Sequence, residues 1–168
     1  MFTLITGHIR LAICFVAKES FMLPIRILLV DDNPQFLKSA SGYLQKRTAF
    51  QLVGQATSGA EAIRRVWELT PDLVLIDWGM PGLSGLEVTR LLKAQSQSPQ
   101  VVILGMNDAP HYSAAAFLAG ADGFIVKDDW SRQLMALVQK WFPEALVQYS
   151  LIYSTTIRKH SIGKETSD

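Results

Sequence analysis

Five short apolar runs punctuate residues 24–142, and each is followed by a stretch with helical spacing. No other feature restricts the fold as much. Ile25–Val30 is broken only by Arg26 and reads as a buried strand. Residues 51–56, 73–76, 101–104 and 123–126 supply four more strands. The intervening stretches carry apolar stripes at helical spacing. Phe36, Leu37, Ala40 and Leu44 mark a helix over about 34–46, opened by Pro34. Ser58 caps a helix over 59–69 with Ala62, Ile63, Val66 and Trp67 turned inward. Ser84 caps a helix to about Ala94, with Leu86, Val88, Leu91 and Leu92 as its apolar positions. Pro110 opens an alanine-rich helix that stops at Gly120, and a last helix runs over about 129–141, ended by Pro143. Apolar strands alternating with helices predict an α/β domain: a five-stranded parallel sheet, doubly wound, with helices on both faces.

A chain of 168 residues suits one such domain with extensions, and 49 % hydrophobic residues suffice for its core. Lys and Arg number 16 against 15 Asp and Glu, a net charge of +1. That balance gives no electrostatic reason to expect direct contact with nucleic acid. A single cysteine, Cys14, excludes a disulfide within the chain and a cysteine-rich zinc site, and fits a reducing cytoplasm. Residues 1–23 are apolar in patches but interrupted by His8 and Arg10, too short to span a bilayer. Lys18 and Glu19 stand where a signal peptide would need small residues. The segment reads as an N-terminal extension, with Met22 as an alternative start. Residues 24–142 form the domain. Residues 143–168 form a C-terminal tail, β-prone over 145–157, then polar, and too short for an output domain.

Open parallel sheets bind ligands at the carboxyl ends of their strands. Strand one delivers Asp31 and Asp32 there, strand three Asp77, strand four Gly105 and Met106, and strand five Lys127. Three neighbouring carboxylates repel one another unless a cation joins them. A hard divalent ion such as Mg²⁺ suits an all-oxygen site. The metal and Lys127 would also neutralise a phosphoryl group arriving at Asp77. Each residue has a plainer reading. Asp32 or Asn33 could cap the first helix, Lys127 could snorkel from a strand end, and Asp77 could serve a turn. The plainer readings do not explain why all of them meet at one sheet edge.

The segments Ile27-Leu28-Leu29-Val30-Asp31-Asp32, Asp77-Trp78-Gly79-Met80-Pro81-Gly82-Leu83-Ser84-Gly85 and Gly120-Ala121-Asp122-Gly123-Phe124-Ile125-Val126-Lys127-Asp128 resemble those of response-regulator receiver domains. The resemblance covers about 24–142 in order and spacing. It is nearest to the branch usually joined to a helix-turn-helix output domain. It implies the flavodoxin-like strand order 2-1-3-4-5. It also implies that Asp77 accepts a phosphoryl group from a sensor histidine kinase or phosphotransfer protein. Mg²⁺ would be bound by Asp32, Asp31, Asp77 and the Gly79 carbonyl. Lys127 would pair with phosphoryl oxygens, and the N–H groups of Trp78, Gly79 and Met106 would donate to them. Such domains are not enzymes in their own right, and they signal by protein contact. The helix 4–strand 5–helix 5 face would meet a downstream partner or a second copy; it includes Ala114, Ala115, Phe117, Leu118, Trp130 and Leu134, some of which must belong to the core.

One position departs from the family. Gly105 stands where Thr or Ser normally donates a hydroxyl to the phosphoryl group, and Phe124 holds the aromatic switch place without a hydroxyl of its own. The missing charge-assisted bond is worth about 1.5–3 kcal/mol. Coupling from phosphate to shape would weaken accordingly, unless a water or Asn107 replaces the hydroxyl. Two rival readings follow: a phosphorylation-uncoupled scaffold, or a truncated or degenerate DNA-binding regulator. A flavodoxin-like enzyme is a third, disfavoured because Asp31-Asp32 would repel a flavin phosphate.

Overall fold

The computed structural model describes residues 23–143. The expectations for 1–22 and 144–168 lie outside the described residues. Strands β1 (Ile25–Val30), β2 (Phe50–Ala56), β3 (Leu73–Asp77), β4 (Gln100–Gly105) and β5 (Gly123–Val126) alternate with helices α1 (Pro34–Gln45), α2 (Gly59–Leu69), α3 (Gly85–Lys93), α4 (Pro110–Leu118) and α5 (Trp130–Trp141). All strand pairs are parallel, in the order β2-β1-β3-β4-β5. Among the described residues no helix is long and apolar enough to cross a membrane.

Period-two alternation splits the strand residues between two cores. Ile27, Leu29, Leu73, Leu75, Val102, Leu104 and Ile125 face α1 and α5, where they meet Leu37, Ala40, Leu44, Leu134 and Val138. Leu28, Val30, Val74, Ile76, Val101 and Ile103 face the other way, onto Ala62, Val66, Val88, Leu92 and Ala116. The three interior strands β1, β3 and β4 are buried on both faces, as expected of continuous apolar runs in a covered parallel sheet.

Three of the five helix starts follow side-chain capping chemistry. Asn33 Oδ1 accepts from the N–H groups of Gln35 and Phe36, with Pro34 opening the helix. Ser58 Oγ accepts from the Glu61 N–H, and Ser84 forms a capping box with Glu87. A short 3-10 turn, Lys127–Asp129, joins β5 to α5.

Trp67 is a correction. It is 57 % exposed rather than inward. Ala62 and Val66 lie one turn apart and are buried, and Trp67 sits about 100° further round the helix. Its indole lines a surface groove with Val66, Leu92, Pro99 and Phe142, at the end of the sheet away from Asp77.

Candidate functional site

Strand alternation sets the site. Asp31 continues the Ile27–Leu29 face, Asp77 the Leu73–Leu75 face, and Lys127 the Ile125 face. All three therefore emerge on the α1/α5 side at the carboxyl edge. The structure brings them together. Lys127 Nζ lies 2.6 Å from Asp31 Oδ2 and 2.6 Å from Asp77 Oδ1. Ligand oxygens of Asp31, Asp32 and Asp77 all fall within 4.8 Å of one another.

The surroundings fix each group. Asp31 is fully buried and Asp77 is 5 % exposed. Asp31 Oδ1 accepts from the Asn33 N–H at 2.8 Å, and Asp77 Oδ2 from the Gly79 N–H at 2.9 Å. Burial pushes the Asp31 carboxyl up, outweighing the bonds from Lys127 and Asn33 that pull it down. Burial also works to lower Lys127, but its two carboxylate partners outweigh that and hold the ammonium above its ordinary range. Asp32 is exposed, and Asn33 rather than Asp32 caps α1, which leaves the Asp32 carboxylate free to face the site.

The donor set fits a hard divalent cation. It offers three carboxylates against the one ammonium of Lys127, which leaves net negative charge at the site for a cation to balance.

The loop after β3 is pinned from both ends. The Trp78 N–H donates to the Leu104 carbonyl at 2.9 Å, extending the β3–β4 ladder by one rung. That N–H, expected to face a phosphoryl group, is therefore engaged in the sheet. The Gly85 N–H donates to the Trp78 carbonyl at 3.3 Å. A Cβ on Gly85 would run into the Asp77 carbonyl, so only glycine lets α3 start this close to the strand. Met106 is largely exposed beyond β4. Asn107 does not reach into the site: its Oδ1 accepts from the Ala109 N–H at 3.1 Å.

Two contributors were hidden in the sequence. Phe36 looked like one more core position of α1, yet its ring lies 4.9 Å from Lys127 Nζ and covers the ammonium. Trp78 packs edge-on against Tyr112 at 5.0 Å and Phe124 at 6.5 Å, forming an aromatic group beside the site. No local signal links Trp78 to Tyr112, which lies on α4.

The family model of the response regulator receiver domain matches residues 27–139. The nitrate/nitrite response regulator protein NarL of Escherichia coli strain K12 is 33 % identical over 105 residues, covering 62 % of this chain and 49 % of that protein. The nitrate/nitrite response regulator protein homolog of Haemophilus influenzae is 28 % identical over 144 residues, covering 86 % of this chain and 67 % of that protein. The chain thus spans about half to two thirds of the relatives it matches. Among solved structures, the signal receiver domain of NarL from Mycobacterium tuberculosis superposes with a TM-score of 0.60 at 30 % identity, covering 62 % of this chain and 85 % of that one. A LuxR-family two-component response regulator from Aurantimonas gives a TM-score of 0.63 at 28 % identity, covering 70 % and 86 %. With the family model matched over most of the described domain, the chain belongs to the response regulator receiver family of two-component systems.

Proposed function

We propose that Asp77 is the phosphoacceptor of this receiver. A carboxylate oxygen of Asp77 attacks the phosphorus of a phosphohistidine on a sensor kinase or phosphotransfer protein. The P–N bond breaks, the imidazole leaves with its electron pair, and Asp77 becomes an acyl phosphate. Lys127 would hold charge on the transferred oxygens, and the N–H groups of Met106 and of Gly79, the latter now donating to Asp77 Oδ2, would be their backbone donors. Asp31, Asp32, Asp77 and the Gly79 carbonyl would hold Mg²⁺, which supplies neutralisation of the crowded negative charge. Lys127 must shift from its Asp31 partner as charge arrives on Asp77, and the cation would take over its role at Asp31.

The observation that carries this reading is the single ammonium placed 2.6 Å from both buried carboxylates, with Asp32 beside them. The α4–β5–α5 face, with Phe117 and Leu118 exposed, would pass the signal to a partner or a second copy. Incubation with acetyl phosphate and Mg²⁺ should add one phosphoryl group by intact mass, and Asp77→Asn should abolish it. Failure of the wild-type chain to take up phosphate would overturn the assignment.

A further inference from the structure

Gly105 and Phe124 lie on the same face of the sheet, two rungs apart. Phe124 pairs with Ile103, and Gly105 pairs with Val126. The Phe124 ring leans toward the carboxyl edge and covers the Gly105 backbone. A Cβ built on Gly105 would come within 2.7 Å of Phe124 Cε2 and closer still to Cζ. Carbon atoms in contact need about 3.5–4.0 Å. Ring and side chain cannot share that volume.

Phe124 is also held from the side. The Trp78 indole stands perpendicular to it at 6.5 Å, and Tyr112 backs the indole at 5.0 Å. Trp78 is itself anchored through its N–H to the Leu104 carbonyl, on the residue before Gly105. The ring thus has a floor made of bare backbone and a wall tied to the same strand end.

We propose that Phe124 is seated permanently in the space that a side chain at position 105 would fill, so that Gly105 presets the α4–β5 face independently of phosphoryl transfer at Asp77. No side chain at position 105 has to move before the ring can enter, and the ring is the nearest group in the gap, with the Asn107 carbonyl next at 3.5 Å. A partner reading this face would bind the phosphorylated and unphosphorylated chains alike. The inference rests on the phosphoacceptor reading for that last consequence only; the seat of the ring stands apart from it.

The test places 4-fluorophenylalanine at position 124 of the full chain and follows its ¹⁹F resonance. In the wild-type chain the resonance should resist broadening by a soluble nitroxide. It should also stay in place when Mg²⁺ and beryllofluoride, a phosphoryl mimic, are added, while bound beryllofluoride shows its own ¹⁹F signals. Gly105→Ala needs only a rotation of the far end of a flexible ring. It should shift the resonance and raise nitroxide broadening several-fold, and Trp78→Leu should shift the resonance by removing the indole ring current. The proposal is overturned if the wild-type resonance moves as beryllofluoride binds, or if Gly105→Ala leaves the ring as protected as before. Absence of bound beryllofluoride would count against Asp77 as acceptor, and the Gly105→Ala comparison would still decide where the ring sits.

Discussion

Asp31 and Asp77, on neighbouring strands, share one ammonium: Lys127 Nζ is 2.6 Å from an oxygen of each. Lys127→Met should therefore harm both chemistry and stability. With the ammonium gone, the buried Asp31 loses its nearest cation and must protonate or stay uncompensated. In chelator, a cost of about 1–3 kcal/mol is expected from urea unfolding. Phosphoryl uptake from acetyl phosphate should fall at least tenfold while the far-ultraviolet circular dichroism stays native. A variant as stable and as readily phosphorylated as wild type would remove Lys127 from the site.

Stability without metal should depend on pH through Asp31. Its folded-state pKa is raised, chiefly by burial, so the folded chain holds that proton more tightly than the unfolded chain. Stability then falls as pH rises from the ordinary carboxylate range through the raised value, and levels off above it. Lys127 does not blur this window, because a raised lysine keeps its contribution until strongly alkaline pH. Asp31→Asn in chelator should lack the decline, so its stability relative to wild type should increase with pH across the window. Parallel curves for the two chains would refute this.

Added Mg²⁺ should stabilise the wild-type chain by mass action, about 2.7 kcal/mol at a hundredfold excess over Kd. Asp31→Asn and Asp32→Asn should each lose most of that increment, whereas Trp67→Ser, at the far end of the sheet, should keep all of it. Thermal unfolding with and without the cation reads the difference. Equal increments in all four chains would mean that the cation binds elsewhere.

Gly85→Ala should misplace the acceptor from behind. The added methyl meets the Asp77 carbonyl, so the start of α3 or the end of β3 must shift. Overpacking of this kind costs about 1–3 kcal/mol. The phosphorylation rate should drop more than stability alone explains, since uptake is measured on the folded chain. Gly42→Ala is the control: a Cβ there meets nothing within 4 Å. It should stabilise α1 by up to about 1 kcal/mol and leave uptake unchanged.

The fold was legible because each strand is an apolar run too short for a helix and three of the five helices open on a capping side chain. Asn33, Ser58 and Ser84 sit where the structure starts its helices, and all five strands begin within one residue of expectation. The acidic cluster was legible for a related reason. Strand alternation forces Asp31, Asp77 and Lys127 onto one face once the sheet is parallel. The contacts made across the fold were not legible. Phe36 over Lys127 and Tyr112 behind Trp78 depend on how helices lean on the sheet, which spacing along one element does not encode. Trp67 misled because a large apolar residue at the border of a stripe can fall on either side of it. Gly105 was recognisable as a missing hydroxyl; that its gap is taken by Phe124 is a fact of three dimensions.

Asp31, Asp77 and Lys127 project toward α1 and α5, whereas Gly105 and Phe124 lie on the opposite side of the same sheet. The acidic cluster and the aromatic group thus occupy opposite faces of the sheet. The link between them runs round the strand end, through Trp78, which follows Asp77 in the chain and stands against Phe124. For anyone rebuilding this domain as a sensor, Trp78 is therefore the part to vary first, because it is the piece that touches both the acidic edge and the aromatic group.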